Sequence, residues 1–420
     1  MKLHPILAAL KKHKAGVTLI TLQIALTLAI VCNAVFIIGQ RVDRVNRPTG
    51  VDEQNLFLIQ QAYVGAPTGD DAESVQKLDA MQRSDLETLR GLPDVESVAA
   101  INSLPLLQSS WTGGVGLKPD QQHSTEHAAY YFGDDQMLKT LGLQLVAGRN
   151  FTASDITNRG FRGVGEPAMI IVTKTLADKL FPKGDALGKT VYLDGQAIPS
   201  TIIGIVKRMQ IPASGSWGNS FAWNSVLQPI RLDASYTRTA VRAKPGRLDA
   251  AMHEAGEALF KANPMRVLEN QPDIGIGIMP FSEIRARAYR ADIGMAILMG
   301  VICLILLCVT AAGIVGLTSF WVGQRRKQIG IRRALGATRN DILRYFQTEN
   351  LMIAGVGVLL GAILAVGLNL WMMKQFAMDR MSLLYVLVGI VALLALGQGA
   401  VFAPARRASR VSPVEATRSV

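Results

Sequence analysis

Two histidines and a glutamate near the middle of the chain have the spacing of a zinc site. His123, Glu126 and His127 match the H-x-x-E-H pattern, in which two helical histidines hold the metal and the acid activates water. The following residues 127–132 have the composition of a strand, and no third ligand is evident. The sequence therefore favours a solvated segment, and we predict no metal ligand and no catalytic residue in this chain.

A second short segment resembles a phosphate-binding loop, whose backbone amides would surround the phosphates of ATP. It contains Gly184, Gly188, Lys189 and Thr190, but its spacing is one residue short of that pattern. We interpret 183–188 as a turn before a strand at 189–193. Because nothing else in the chain offers a nucleotide site, we expect no cofactor on this chain, and any ATP to bind a separate subunit.

Small and polar residues in long apolar stretches predict helix packing. Gly357 and Gly361 form a G-x-x-x-G pattern that Ala365 extends, which lets two helices approach closely. Packing within one chain is favoured over dimerisation. Four uncharged polar residues predict hydrogen bonds between helices rather than a substrate path: Gln23, Asn33, Asn369 and Gln398. Since these stretches lack ionisable residues, a proton-coupled pump is disfavoured.

The elements that position these residues are four apolar segments. The chain has 420 residues, is 49% hydrophobic and has a mean hydropathy of +0.25. Segments 17–40, 293–324, 350–373 and 381–405 contain no Asp, Glu, Lys or Arg. Each can cross a hydrocarbon layer, which requires roughly 20 residues. The first is too long for a secretory signal core of about 7–15 residues, so we expect an uncleaved anchor.

The positive charge of the chain is local rather than general. The formal net charge is +12, yet residues 41–288 hold 26 Lys or Arg and 27 Asp or Glu. The excess lies in residues 1–16, 325–346 and 406–420. By the positive-inside rule both termini and the middle loop are cytoplasmic, and 41–288 lies outside. Membrane lipid is therefore the expected surrounding, and nucleic acid is not expected as a partner.

The sequence of the exported region 41–288 predicts a mixed α and β domain. All three cysteines lie in the apolar segments, so this region is not a disulfide scaffold. Trp111, Trp217 and Trp223 have loop-like surroundings, where either exposure to a partner or core burial is possible. Strand-like runs are 55–64, 95–102, 168–172, 201–206 and 237–242, and helical patterns are 74–92, 174–181 and 247–262.

Helix start signals flank the later apolar segments. Ser282 is predicted to cap a helix, with Glu283 in its first turn, that continues unbroken into the second segment. Thr338 and Asp341 form a capping-box pattern before the third segment, so the chain should bend at 334–337. Near the C-terminus, Ser412 and Pro413 predict a further short helix.

The predicted fold is an α-helical membrane protein with four transmembrane helices and a large α/β extracytoplasmic domain between helices 1 and 2. Gly- and Pro-rich stretches indicate an inserted second subdomain at roughly 105–225. The predicted segments are a cytoplasmic interfacial elbow (1–16), transmembrane helix 1 (17–40), the outer domain (41–288), transmembrane helix 2 (289–324), a cytoplasmic loop (325–346), transmembrane helix 3 (347–373), a short outer loop (374–380), transmembrane helix 4 (381–405) and a cytoplasmic C-terminal helix (406–420).

The cytoplasmic loop carries a recognisable sequence, RKQIGIRRALGAT, at 326–338. It resembles the coupling segment of MacB-type and FtsX-like ABC transporter permeases. Segments 141–151, 176–188 and 404–416 resemble further elements of the same family, in the same order. The coupling residues that this resemblance implies are Ile329, Gly330, Ile331, Arg332, Arg333, Ala334, Leu335, Gly336, Ala337 and Thr338.

The resemblance implies a permease of the bacterial inner membrane that pairs with a second permease copy, identical or different. It would bind a cytoplasmic ABC ATPase dimer, which holds ATP and Mg²⁺, and transmit its motion to a porter-like periplasmic domain for efflux. The chain lacks the fused ATPase of MacB, so a separate one is expected. A periplasmic adaptor is a further expected partner.

Two other hypotheses about the function remain open from the sequence. One is a regulator that acts mechanically on a periplasmic hydrolase or extracts lipoproteins. The other is a receptor or zinc peptidase without an ATPase partner.

Overall fold

The computed structural model describes residues 14–69, 71–109, 111–161, 163, 166–268, 277–376 and 379–410. They form two compact units. The membrane unit holds the chain up to Asn46 and from Ala291 onward, and the outer domain is Arg47–Arg290. The elbow predicted at 1–16 lies almost wholly outside the described residues, as does the cap predicted at Ser412 and Pro413.

The described helices and strands follow one another along the chain. The helices are α1 (Lys14–Val45), α2 (Ala72–Arg90), α3 (Met137–Leu141), α4 (Lys174–Leu180), α5 (Leu248–Ala262), α6 (Phe281–Gln324), α7 (Arg326–Ala334), α8 (Arg339–Phe376) and α9 (Leu383–Ser409). The strands are β1 (Leu56–Tyr63), β2 (Val95–Ile101), β3 (Trp111–Gly116), β4 (Glu126–Phe132), β5 (Leu145–Gly148), β6 (Thr157–Gly160), β7 (Met169–Thr173), β8 (Thr190–Leu193), β9 (Pro199–Val206), β10 (Ser225–Gln228), β11 (Ile230–Asp233), β12 (Tyr236–Ala243), β13 (Arg266–Val267) and β14 (Gly277–Pro280).

Four helices of the membrane unit, α1, α6, α8 and α9, are long and apolar enough to cross a membrane. Each contains one of the four apolar segments predicted from the sequence, apart from the first two residues of the last segment. The core of this unit forms where Ile24 and Leu28 of α1 meet Val358 of α8. Other large apolar side chains point outward, such as those of Ile363 and Val391. A bundle that is apolar on its outside as well is expected in lipid.

Three of the four polar residues predicted to link helices make such a bond, and the fourth, Asn369, bonds to the loop before α9. The donors and acceptors are Gln23 Nε2 to Val309 O at 3.0 Å, Asn33 Nδ2 to Ala365 O at 3.0 Å, Met381 N to Asn369 Oδ1 at 3.1 Å and Gln398 Nε2 to Gln347 O at 3.4 Å. Three of these bonds join two helices, and the Asn369 bond holds Met381, two residues before α9 begins. The prediction is confirmed for Gln23, Asn33 and Gln398, because an amide in hydrocarbon must find a partner inside the protein.

The first sheet of the outer domain has five strands in the order β13-β1-β12-β2, with β14 also paired to β1. Helices α2 and α5 cover one face of it, where Leu89 and Leu259 meet Phe57 and Val241 in a shared core. The strands predicted at 55–64, 95–102 and 237–242 are confirmed here, as are both helices. Each prediction rested on the local periodicity of apolar residues, which is retained when each strand or helix buries one face against the other layer.

The second sheet has seven strands in the order β5-β9-β7-β10-β4-β3-β8, and β8 also pairs with β9. All of its strands lie between Trp111 and Gln228. The strands predicted at 168–172 and 201–206 belong to it, and so does the one predicted at 127–132. The boundaries proposed for an inserted subdomain stay a prediction. A smaller parallel pair joins β11 and β6.

Helix boundaries differ from the sequence prediction in two places. Helix α6 begins at Phe281, directly after β14, so Ser282 is its second residue and does not cap it. The Phe281 side chain is fully buried, and this tertiary packing starts the helix two residues earlier than a cap at Ser282 would. At the other end α9 continues beyond Ala405 to Ser409, with Pro404 inside it, so the first residues assigned to a separate C-terminal helix belong to α9.

Candidate functional site

The predicted coupling segment forms the short helix α7 and the turn after it. One side of α7 is apolar and packs into the bundle: Ile329 is 5% exposed and joins the core with Ile342 and Phe346 of α8. Gly330 is also buried. The two buried residues can therefore act only by positioning α7, whereas Ile331, Arg332, Ala334 and Leu335 face outward.

The end of α7 is fixed by backbone geometry. Gly336 has φ +96°, a left-handed conformation that glycine adopts without a Cβ penalty. Its N–H donates to Arg333 O at 3.1 Å, and the Ala337 N–H donates to Arg332 O at 3.0 Å. These two bonds form a Schellman motif, which satisfies the carbonyl groups left free at a helix end. The turn therefore leaves Leu335 at a rigid corner.

A buried ion pair anchors the start of α7. Arg325 Nη1 donates to both carboxylate oxygens of Glu349, each at 2.9 Å, which ties the α6–α7 junction to α8. The side chains are 11% and 1% exposed. The Trp321 ring lies 5.6 Å from the Arg325 guanidinium. Removing either charge would leave the other unpaired in the interior, which typically costs about 3–5 kcal/mol.

Further contacts hold α7 against α9 and cap the start of α8. Arg333 Nη1 donates to Ser409 O of α9 at 3.0 Å. The predicted capping box is confirmed: Thr338 N donates to Asp341 Oδ2 at 2.9 Å, and Asp341 N donates to Thr338 Oγ1 at 3.2 Å. The bond from the Thr338 hydroxyl is the main cause that lowers the pKa of Asp341. The acid is therefore ionised at the positive end of the α8 dipole.

These anchors leave a small apolar surface at the turn. Leu335 is 83% exposed and Ile331, one helical turn earlier, is 47% exposed. The exposed cations Lys327 and Arg332 lie on the same helix. Such a surface fits a partner with an apolar groove and acidic residues around it.

The small residues predicted to pack helices lie in the contact between α8 and α1. A Cβ on Gly357 would come within 2.9 Å of the Ile24 side chain, and one on Gly361 within 2.8 Å of Ala25 O. Ala365 is fully buried one turn further on. In this structure all three face a helix of the same chain.

The two motifs that suggested metal or phosphate chemistry lie in the outer domain. His127 is in β4, opposite Gly114 of β3, so the two histidines are not one turn apart on a helix. Within the described ranges, no group of three or more His, Cys, Asp or Glu could hold a metal ion. Gly184 and Gly188 both have φ +78°, and the strand after them starts at Thr190.

The three tryptophans of the outer domain have different environments. Trp217 is 59% exposed. Trp223 lies under the Arg208 guanidinium, 4.7 Å from its ring centroid. Trp111 is half-buried and packs edge-on against Phe132, with ring centroids 5.1 Å apart.

Sequence reasoning missed the ion pairs at the ends of the membrane helices. Besides Arg325 and Glu349, Asp292 of α6 pairs with Arg41 Nη1 at 2.5 Å and with Arg44 Nη1 at 3.1 Å on α1. The available signal was that all of these charges except Arg44 directly border an apolar segment. Which charges pair depends on helix packing.

The fold and this loop define a four-helix membrane protein of the permease type with an α/β domain between its first two spans. Two family models match the chain: the MacB-like periplasmic core domain over residues 17–258 and the FtsX-like permease C-terminal domain over residues 289–413. The chain belongs to the MacB/FtsX-type ABC transporter permeases. Its α/β domain is therefore periplasmic, and the protein is an inner-membrane, multi-pass protein.

In the curated relatives, about a quarter of the aligned residues are identical to those of this chain. The uncharacterized ABC transporter permease YvrN of Bacillus subtilis is 24% identical over 77% of this chain and 78% of its own. The macrolide export ATP-binding/permease protein MacB of Neisseria meningitidis is 27% identical over 69% of this chain and 43% of its own. The pyoverdine export ATP-binding/permease protein PvdT of Pseudomonas syringae is 26% identical over 79% of this chain and 49% of its own. The chain thus spans less than half the length of the latter two.

Similar solved structures include the periplasmic region of MacB from Actinobacillus actinomycetemcomitans, with a TM-score of 0.34 and 16% identity over 58% of this chain and 97% of that one. The extracellular domain of the transporter YknZ has a TM-score of 0.32 and 18% identity over 50% of this chain and 95% of that domain.

Proposed function

We propose that this chain is the membrane subunit of an ABC transporter that transmits the ATP-driven motion of a separate ATPase dimer to its periplasmic domain. The transported substrate would leave from the periplasm, with a periplasmic adaptor as a further partner. Both termini and α7 would lie in the cytoplasm, as the distribution of Lys and Arg indicates. ATP and Mg²⁺ would be held by the ATPase alone.

The observation that carries this proposal is the exposed corner at Leu335. Leu335 is 83% exposed and Ile331 is 47% exposed, so the anchored turn presents a small apolar surface whose burial against a partner would be favourable. The anchors are the Arg325–Glu349 pair and the Schellman turn at Gly336. A corner that is anchored in this way is suited to transmit movement of a bound partner to the membrane helices, because the loop itself would deform little.

Helix α6 is the proposed path of transmission. Its first turns belong to the outer domain, where Phe281 and Ile284 are buried and Arg285 Nη1 pairs with Glu53 Oε1 at 2.7 Å. Its last residue, Gln324, lies one position before Arg325. The names of the relatives MacB and PvdT describe export, which supports efflux as the direction of transport for this chain.

Replacing Leu335 by Glu tests the docking surface. We expect Leu335→Glu to abolish co-purification of an ABC ATPase from native membranes, because it places a charge in an apolar contact. Leu335→Met is the matched control, since it keeps an apolar side chain of similar size and should retain the ATPase. Both variants should insert and unfold at the wild-type temperature. Full ATPase recovery with Leu335→Glu would refute docking at this corner.

A further inference from the structure

Residues 208–223 of the outer domain, here called the junction segment, are bound to the two stretches of chain that lead from this domain into membrane helices. The N–H of Gln210 donates to Thr49 O at 2.7 Å, four positions after the end of α1. On the other side, Ser214 Oγ donates to Ala288 O of α6 at 3.2 Å. The junction segment is therefore held at the end of the outer domain from which both helices depart.

The chain length between these contacts and the apolar parts of the helices is short. Ala288 is five positions before Ile293, where the apolar part of α6 begins, which is about 7.5 Å along an α-helix. The headgroup layer on each side of the hydrocarbon is about 5–7.5 Å thick. Trp217 follows Ser214 by three positions, so their Cα atoms lie within about 11 Å of each other. The junction segment is thus within reach of the periplasmic headgroups.

The exposed part of the junction segment is aromatic. Its short 3₁₀ helix, Ser216–Phe221, presents Trp217, which is 59% exposed. The rings of Trp217 and Phe221 have centroids 5.4 Å apart, and the exposed His127 of β4 lies 6.2 Å from the Phe221 ring. Tryptophan is enriched at membrane–water interfaces, where its apolar ring and its polar N–H both find suitable surroundings. This surface has the composition of such a contact.

Two arginines bring positive charge to the same surface. The guanidinium groups of Arg208 and Arg47 lie 4.7 Å and 5.9 Å from the ring centroid of Trp223, and Arg208 is exposed. Arg47 Nη2 also donates to Asn219 Oδ1 in the 3₁₀ helix at 3.2 Å. Because the guanidinium group matches the geometry of phosphate oxygens, these residues suit a phosphate-containing headgroup.

The carboxylate beside this surface already has donors. Glu126 Oε2 accepts from Lys179 Nζ at 3.2 Å and from Asn224 Nδ2 at 3.0 Å. Lys179 Nζ also donates to Ser220 O of the 3₁₀ helix at 3.1 Å, which places a third cation there. The combination of exposed aromatic rings and positive charge favours a lipid surface over an acceptor-poor apolar protein surface.

We propose that the junction segment lies on the lipid surface of the membrane, with the Trp217 ring in the headgroup layer of the periplasmic leaflet and the guanidinium groups of Arg47 and Arg208 beside lipid phosphates. The contact needs no ATPase and is measured on the permease by itself. Failure of this proposal is therefore distinguishable from failure of the coupling proposal.

The test uses the full-length protein in nanodiscs of phosphatidylcholine and phosphatidylglycerol, with or without a lipid that carries a nitroxide near the top of its acyl chain. The nitroxide quenches the fluorescence of an indole that it contacts. The emission of Trp217 is taken as the difference between the wild type and Trp217→Phe, in which the other tryptophans cancel. We expect the nitroxide lipid to lower this emission by about two-fold or more, because an interfacial ring contacts the upper acyl chains.

A second tryptophan of the outer domain gives the matched control. Trp111 is half-buried and packs against Phe132, with ring centroids 5.1 Å apart. The emission that Trp111→Phe removes should be the same with and without the nitroxide lipid. If Trp217→Phe fails to fold, Trp217→Tyr, which keeps an amphipathic ring, provides the same difference.

Two results would overturn the proposal, and iodide in the aqueous phase distinguishes them. Trp217 emission that iodide quenches and the nitroxide lipid does not would show that the ring lies in water. Trp217 emission that neither quencher lowers would show that protein covers the ring, either a second permease chain or another partner.

Discussion

Gly361 shows how one residue determines the distance between two helices. Its position on α8 brings the backbone of α1 so close that an added Cβ would lie 2.8 Å from Ala25 O and 3.0 Å from Ala25 Cα. Both atoms are backbone, which cannot rotate away as a side chain would. Gly367, further along the same helix, has no atom within 4 Å of the corresponding point.

We expect Gly361→Ala to lower the free energy of unfolding of the membrane unit by about 1–3 kcal/mol relative to Gly367→Ala, since overpacking a close contact has that cost. Both changes gain the same helix propensity, so their difference isolates the contact with α1. Thermal unfolding of the two variants in the same detergent measures it. Equal unfolding temperatures of the two variants would show that α1 and α8 accommodate the added methyl group without a loss of stability, which would contradict the prediction.

At the scale of the element, α6 has a length that suits transmission. Its 44 residues correspond to about 66 Å at 1.5 Å per residue, roughly twice the thickness of the hydrocarbon layer. Ile297 lies within its apolar part and is 64% exposed, so a change there removes little packing.

We expect Ile297→Pro to leave the ATPase bound but to remove the ATP-dependent change in the periplasmic domain. Proline removes one backbone hydrogen bond and bends the helix. The readout is a membrane-impermeant fluorescent maleimide on Asp185→Cys, because the native cysteines Cys32, Cys303 and Cys308 all lie in membrane helices. Ile297→Ala should keep the signal. A full signal from the proline variant would contradict transmission through a straight α6.

At the scale of the whole molecule, one copy presents one apolar corner at Leu335, whereas the proposed ATPase partner is a dimer. Helix α6 also carries large exposed apolar side chains along much of its membrane part, namely Ile293, Ile297, Leu298, Val301, Leu304, Ile305 and Val309. Lipid or a second permease can cover them.

We predict two permease chains and two ATPase subunits in the assembled complex. Native mass spectrometry of the complex released from nanodiscs measures this directly. Equal permease masses would indicate a homodimer and unequal masses a heterodimer. A complex with one permease chain would contradict the prediction.

The sequence alone determined the four spans, the main strands and helices of the outer domain, and the capping box at Thr338 and Asp341. The reason is local: a span must be about 20 apolar residues long, and caps and amphipathic periods are short-range. The segment at 326–338 was singled out differently, by its resemblance to the coupling segment of the family, and its docking role remains a proposal.

Only the tertiary structure decided which of those residues face outward and which polar groups meet. Arg325 and Glu349 are 24 positions apart, and Arg231 and Asp79 are 152 apart. The exposure of Leu335, the burial of Asp233 and the start of α6 at Phe281 instead of after Ser282 all depend on what packs against them. Burial sets the energy of a charge or an apolar side chain, and it is a property of the packed fold rather than of the neighbouring sequence.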